Sequence, residues 1–170
     1  MPLIGIEPSA ILSFKDEYIR LASNKISAKA LASNVYLIDD FIANEIKLGN
    51  ITSAHFSNIT KNIKLHVHCH QKALTTMEAP FKLLNLPKNY SVSIINSGCC
   101  GMAGSFGYEK EHYEVSMQMG ELSLFPKIRK ANTDTLIAAT GTSCRHQIKD
   151  GTEKRAFHPI SILRAALKME

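Results

Sequence analysis

The sequence predicts an α/β protein: a three-layer, mostly parallel sheet with helices on both faces, Rossmann-like in outline. Three observations carry this expectation. Strand-like and helix-like segments alternate along the chain. Short apolar, β-branched runs occur at Lys64-Leu65-His66-Val67-His68, Val92-Ser93-Ile94-Ile95-Asn96 and Thr135-Leu136-Ile137-Ala138-Ala139. Each run is followed closely by cysteine: Cys69, the pair Cys99-Cys100, and Cys144. If these runs are parallel strands, their carboxyl ends share one edge of one sheet, where α/β proteins place their sites.

The elements follow in order. Leu3 to Ile6 reads as a short first strand, after which Pro8 and Ser9 turn into an apolar-periodic segment holding Ile11, Leu12 and Phe14. A second helical pattern covers residues 27–48, with Ala28, Leu31, Ala32, Val35, Leu37, Ile38, Phe41 and Ile42, and Gly49-Asn50 ends it. Ile51 to Lys61 reads as a short exposed hairpin or turn. After the strand ending at His68, the spacing of Leu74, Met77, Phe81 and Leu84 predicts a helix over 73–84, with Pro80 as an irregularity.

Tyr90 to Asn96 is nearly continuous in apolar character and predicts a central strand. Glu109 to Lys130 reads as one long helix with a break near Pro126. Thr135 to Ala139 is a further buried strand, and Ser143 is placed to cap a short helix holding Arg145 to Lys149. Arg155 to Phe157 predicts an edge strand, and Ser161 to Lys168 a closing helix. No repeat, linker or low-complexity tract interrupts the chain, so a single domain over 1–170 is expected.

Composition narrows the function. With 170 residues and 45% hydrophobic content, the chain is long enough for one real core. No run approaches the ~18 apolar residues of a membrane span, so no integral membrane segment is expected. The start, Met1-Pro2-Leu3-Ile4-Gly5, lacks the basic and apolar regions of a signal peptide. Four cysteines in such a chain argue for metal or redox chemistry in a reducing, cytoplasmic setting rather than a disulfide scaffold. The net charge of +5 is spread out, and its densest cluster, Lys127, Arg129 and Lys130, reads as a solvated helix end. No basic face interleaved with aromatics is present, so no nucleic-acid partner is expected.

The most specific segment is Ser97-Gly98-Cys99-Cys100-Gly101-Met102-Ala103-Gly104-Ser105-Phe106-Gly107. Gly98, Gly101, Gly104 and Gly107 let the backbone approach a bound group closely and adopt positive φ. Exposed N–H groups beside two thiols suit an anionic inorganic ligand, because sulfide and thiolate need donors. A phosphate-binding turn, a tight turn with two small buried cysteines, and a strained vicinal disulfide are the alternatives.

Around Cys69, strand alternation puts His66 and His68 on one face and Val67 on the other. Imidazoles beside a thiol can ligate metal, donate to sulfide or tune a potential, and His68 and His70 flank the cysteine. A hydrogen-bonded structural histidine is the competing reading. Cys144, in Gly141-Thr142-Ser143-Cys144-Arg145-His146-Gln147, falls at a helix start, where dipole and free N–H groups favour thiolate. Arg145 adds positive charge there or lies exposed on a short helix. His158, before Pro159, reads as an imidazole at the same edge or as a cap for the closing helix.

The order Cys69, Cys99-Cys100-Gly101, Cys144 resembles the cysteine-rich CCG domain of glycolate oxidase iron–sulfur subunits, heterodisulfide reductase B subunits and related reductases. Glu7-Pro8-Ser9, His68-Cys69-His70-Gln71-Lys72-Ala73-Leu74, the glycine-rich segment and Thr142-Ser143-Cys144-Arg145-His146-Gln147-Ile148 are similar to one branch. That branch is the C-terminal region of FAD-linked oxidases resembling D-lactate and D-2-hydroxyglutarate dehydrogenases, which fuse flavin, ferredoxin-like and cysteine-rich modules. The likeness spans residues 3–167.

It implies an iron–sulfur cluster, of the 4Fe–4S type, on Cys69, Cys99, Cys100 and Cys144, with His68 and His70 as further candidates. Gly98, Gly101, Gly104, Arg145, His146, Gln147 and His158 would surround it. It further implies FAD on a separate domain, flavin and ferredoxin-like domains as partners, a 2-hydroxy acid as donor, and peripheral attachment at the inner membrane face through a parent complex. No segment resembles a flavin domain, and the start on a strand suggests a C-terminal fragment of a larger oxidase. Two departures stand out: Gln147 where the CCG pattern often ends in Cys-x-x-Cys, and Ala10 where flavin-fused relatives often carry cysteine after Glu-Pro-Ser.

Two other functions use the same residues. A structural zinc or assembly module would need only the four thiols. Thiol catalysis with Cys144 as nucleophile and a nearby histidine as base leaves the other three cysteines unexplained.

Overall fold

The computed structural model describes residues 1–168. Strand β1 (Leu3–Gly5) leads through α1 (Pro8–Ile11), a 3-10 turn at Leu12–Phe14, α2 (Glu17–Leu21) and α3 (Lys25–Ala32) to β2 (Val35–Leu37) and α4 (Ile38–Lys47). The helix read over 27–48 is therefore two helices with a strand between them. Ser33 and Asn34 stop α3: Asn34 Nδ2 turns back to donate to the Ala30 carbonyl at 3.0 Å. Val35 to Leu37 then pairs in parallel with Leu3 to Gly5, and that tertiary pairing overrides the helical spacing. β1 and β2 form a two-stranded sheet of their own over Ile11, Leu12, Val35 and Leu37.

The second part holds β3 (Lys61–His66), α5 (Cys69–Leu74), α6 (Glu78–Leu84), β4 (Tyr90–Ile94), α7 (Tyr113–Glu121) and α8 (Leu124–Arg129). After these come β5 (Leu136–Ala139), α9 (Thr142–Thr152), β6 (Ala156–Phe157) and α10 (Pro159–Ala165). Residues 51–60 contain a 3-10 turn at Ser53–His55 and no hairpin. The helix expected over 73–84 starts earlier, at Cys69, and breaks at residues 75–77; the one expected over 109–130 breaks at Leu122-Ser123. In both, the proline is not the break. Pro80 and Pro126 are third residues of α6 and α8, where the amide has no intrahelical acceptor to lose.

The larger sheet is wholly parallel, in the order β4-β3-β5-β6. The fold is α/β with a parallel sheet between helices. β4, expected at the centre, is an edge strand. Its sequence Tyr90-Ser91-Val92-Ser93-Ile94 alternates, with Tyr90 and Val92 half-buried and both serines exposed, the pattern of a strand covered on one side. β6 lies at the other edge, as the reading of Arg155 to Phe157 anticipates.

Two cores flank this sheet. Ile63, Leu65, Val67 and Ala138 pack with Leu83 and Leu84 of α6 and Ile162 and Leu163 of α10. Ile137 and Ala139 pack on the opposite face with Leu124, Phe125 and Ile128 of α8 and Ile148 of α9. Burial of each such aliphatic or aromatic side chain contributes about 1.5–3 kcal/mol. These cores hold β3 and β5 side by side. From β3 the chain goes on to β4 on one side, and from β5 to β6 on the other, so the crevice between their carboxyl ends is the topological switch point. Among the described residues, no helix is long and apolar enough to cross a membrane.

Candidate metal centre

The connections after β3, β4 and β5 each deliver cysteine to the switch point. After β3, His68 is the N-cap of α5: its Nδ1 accepts the His70 N–H at 3.1 Å, and its own N–H donates to Thr140 Oγ1 at 3.1 Å. This fixes Cys69 as the first helical residue, with an exposed side chain.

After β4, the glycine-rich turn folds against α7 and α9. Gly101 has φ +101°, and a Cβ there would lie 2.0 Å from the Ser116 carbonyl oxygen. Gln147 of α9 braces the same place, donating from Nε2 to Ser116 Oγ at 2.8 Å and to Ser116 O at 3.1 Å. The turn so formed points Cys99 and Cys100 inward, and the Gly101 N–H donates to Cys99 Sγ at 3.3 Å. Gly98 and Gly104 border open space instead.

After β5, the cap of α9 is Gly141 rather than Ser143, and it has no capping side chain of its own. Glu7 supplies one from the amino-terminal turn, its Oε2 accepting the Thr142 N–H at 2.8 Å. Arg145 is not idle on the helix surface. Its guanidinium donates to the Ala139 and Thr140 carbonyls at 3.0 and 2.9 Å and to Thr142 Oγ1 at 2.9 Å, tying the β5–α9 turn together. Cys144 ends up buried, at 1% exposure, which removes it from the solvent contact a nucleophile needs.

All four cysteines are free thiols. They form one chain of sulfur contacts: Cys69 to Cys99, Cys99 to Cys100, and Cys100 to Cys144. Cys99 is held far below the usual thiol range by hydrogen bonds from Cys100 and Cys69 and from the Gly101 and Ala103 amides. Cys144 is likewise lowered, first by Cys100 and then, against burial, by His66. The donors go the other way. Cys69 is raised by its bond to Cys99 and by desolvation, and Cys100 by its bonds to Cys144 and Cys99 and by burial. The four sulfurs thus shift one another's protonation strongly, as converging soft donors do, and a cation among them would relieve their shared charge.

His66 joins this group. Its side chain is 0% exposed, and its ligand nitrogen lies within 4.8 Å of both Cys100 and Cys144 sulfurs. The His66 ring lies against Cys144, and its buried Nε2 has no hydrogen-bond partner. A buried polar atom left so costs about 1–3 kcal/mol. The alternation read from the sequence sets His66 and His68 on one face, and flanking the thiol favours His68 and His70 as ligands. Alternation stops where β3 ends, at His66. Beyond it His68 turns into the cap, and His70 Nε2 faces Glu17 Oε1 at 3.7 Å. The signal for His66 is its place opposite Leu65 and Val67 at the last residue of the strand.

His146 and His158, also expected around the cluster, each have a hydrogen-bond partner. His146 is exposed and pairs with Tyr108 through a 2.6 Å Nδ1–OH contact. His158 caps α10, accepting the Ile160 N–H at 3.1 Å, and burial and Arg145 push its pKa down to about 4. Lys72 Nζ donates to the Ser97 carbonyl at 2.7 Å, linking α5 to the turn.

A parallel α/β sheet with cysteine from three connections at its switch point, including a Cys-Cys-Gly turn, is consistent with a CCG-type cysteine-rich domain of FAD-linked oxidoreductases. Homologues over nearly the whole chain are C-terminal parts of larger proteins. The chain is 25% identical over 167 residues to the C subunit of the anaerobic glycerol-3-phosphate dehydrogenase of Escherichia coli, covering 98% of this chain and 41% of that one. It is 28% identical over 172 residues to D-2-hydroxyglutarate dehydrogenase of Escherichia coli, covering 99% of this chain and 16% of the relative. Lactate utilization protein A of a Geobacillus species is 31% identical over 142 residues, covering 82% of this chain and 56% of its own. The chain thus spans well under two thirds of these relatives. No family model and no solved structure matches it.

Proposed function

We propose that this chain is the iron–sulfur electron-transfer module of an FAD-linked dehydrogenase acting on a 2-hydroxy acid or a similar alcohol. The carrying observation is the convergence of Cys69, Cys99, Cys100 and Cys144 from three separate connections into one contiguous set of thiols. Four thiols match the requirement of one 4Fe–4S cluster, which supplies reversible one-electron transfer when bound.

The chain's own residues would do three things there. Cys69, Cys99, Cys100 and Cys144 hold the iron. The Gly101 amide donates toward the sulfur of Cys99 and offsets negative charge. Buried Cys100 and Cys144 lie at the back and exposed Cys69 at the front, so electrons would pass through the Cys69 side. In this reading, flavin and ferredoxin-like domains lie elsewhere in a larger parent protein. The parent would work in the cytoplasm, attached to the inner membrane face through its complex. The greater lengths of the relatives, which are dehydrogenases or a dehydrogenase subunit by name, support a larger parent protein.

The test is iron and acid-labile sulfide analysis with an absorption spectrum on protein purified without oxygen. Near-equal iron and sulfide with dithionite-bleached absorbance is expected, lost on Cys→Ser change at any of the four positions. Colourless protein with zinc alone, stable to dithionite and collapsing with chelator, overturns the electron-transfer reading in favour of a structural zinc module.

A further inference from the structure

We propose that His66 Nε2 is itself a ligand of the centre, which makes it a mixed cysteine–histidine site; this rests on the metal-binding reading above. One ring nitrogen already has a fixed polar neighbour. His66 Nδ1 lies 3.0 Å from Ser97 Oγ, and Ser97 directs its own O–H toward the Ile95 carbonyl at 3.4 Å. Donation from Nδ1–H to Ser97 Oγ would leave the Nε2 lone pair for a metal ion. A ring nitrogen tied to a fixed partner while the other faces soft donors is the usual arrangement of a metal-bound imidazole.

Spacing agrees. A ring nitrogen of His66 and the sulfurs of Cys100 and Cys144 all lie within 4.8 Å of one another. Donors around one ion, with bonds of about 2.0–2.3 Å, sit roughly 3.3–3.8 Å apart, so a small inward movement closes the set. The flanking histidines are engaged otherwise: His68 Nδ1 caps α5, and His70 Nε2 faces Glu17. His66 is fixed on the central strand of a packed sheet, and its Nε2 has no hydrogen-bond partner while fully buried. A neutral imidazole beside the four thiols adds a donor to the centre without adding negative charge.

The experiment uses the whole chain in two forms, reconstituted with iron and sulfide without oxygen and loaded with Co2+ as a spectroscopic probe. Ring-labelled nitrogen-15 histidine is compared with natural abundance by pulsed electron paramagnetic resonance. A histidine nitrogen coupling is expected in the wild type and in His70→Gln, and none in His66→Ala. Co2+ affinity is expected to fall about 10–100-fold in His66→Ala and about 10-fold in Ser97→Ala, which loses only the ring's orienting partner.

If His66→Ala does not fold, the wild-type coupling and the Ser97→Ala titration decide. Wild-type protein that loads metal but lacks an isotope-dependent coupling overturns the role of His66 and leaves electron transfer standing. Unchanged Co2+ affinity in both variants does the same. Wild-type protein that takes up neither a cluster nor Co2+ overturns both.

Discussion

The carboxylate of Glu7 accepts the backbone N–H of Thr142 across 135 positions of sequence. It thereby caps the helix that carries Cys144, a task Gly141 has no side chain to perform. The Glu-Pro-Ser wording of the amino-terminal turn is accounted for by this contact, with Ser9 Oγ donating to the other carboxylate oxygen at 3.1 Å.

Replacing Glu7 tests that contact. Glu7→Ala is expected to cost about 0.5–2 kcal/mol, the usual range for loss of a capping side chain, read as a lower urea midpoint. Burial raises the Glu7 pKa, but the Thr142 and Ser9 hydrogen bonds outweigh it and the net shift is downward. A depressed carboxyl contributes stability above its unfolded value of about 4.3, and that contribution is lost as pH falls through the folded value. The gap between wild type and Glu7→Ala is therefore expected to shrink below pH ~4; a gap constant from pH 3 to 7 would contradict this.

The turn glycines separate by surroundings. Gly101→Ala drives a methyl to 2.0 Å from the Ser116 carbonyl at φ +101°, and more than ~3 kcal/mol of lost stability is expected. Gly104, at φ +73° with nothing within 4 Å, carries only the backbone cost, and Gly104→Ala is expected to lose about 1 kcal/mol. Denaturant titration of both variants checks the order.

Gln147 makes a third test. Its amide is buried and braces Ser116 behind Gly101. Gln147→Ala leaves the serine hydroxyl and carbonyl short of a donor, with an expected loss of about 1–3 kcal/mol. Gln147→Cys would form the Cys-x-x-Cys spacing but remove the same brace. It is expected to fold less stably than wild type by a comparable amount, measured in metal-free protein.

Asp39 gives a pH signature remote from the thiols. It lies fully buried in the first turn of α4, with Gln71 Nε2 at 3.5 Å from Oδ2 and Oδ1 unpartnered. Desolvation lifts its pKa to about 7, with Gln71 opposing and Asp40 assisting. A raised carboxyl pKa means that the folded state holds its proton longer than the unfolded one. Stability should decline from pH ~4 to pH ~7 by up to a few kcal/mol and level off above. Asp39→Asn should flatten that slope in a urea-midpoint series; a wild-type slope retained in the variant would assign it to other groups.

The parts of the site legible in the sequence are those that strand polarity fixes. Parallel strands put Cys69, the Cys99-Cys100 pair and Cys144 at one edge, and that needs no knowledge of side-chain packing. What alternation does not reach is geometry past a strand's last residue. His66 is the end of β3, and extending the two-residue period to His68 crosses into a helix cap. Apolar spacing likewise hides β2 inside a helical pattern, because Val35 and Leu37 fit either period until pairing with Leu3 and Gly5 decides between them. Gln147 looks like a missing cysteine because its role depends on Ser116, a residue 31 positions away.

The step in exposure from Cys69 to Cys144 also sets how the module ages. Cys69 is exposed and Cys99 half-buried, while Cys100 and Cys144 are shielded. An oxidant meets the rim first, so Cys69 and Cys99 should be modified before the interior pair reacts. Mild peroxide treatment of metal-free protein followed by peptide mass mapping would reveal that order, and equal modification of all four would refute it. Damage confined to that rim would leave Cys100, Cys144 and His66 as the foundation on which the centre can be rebuilt.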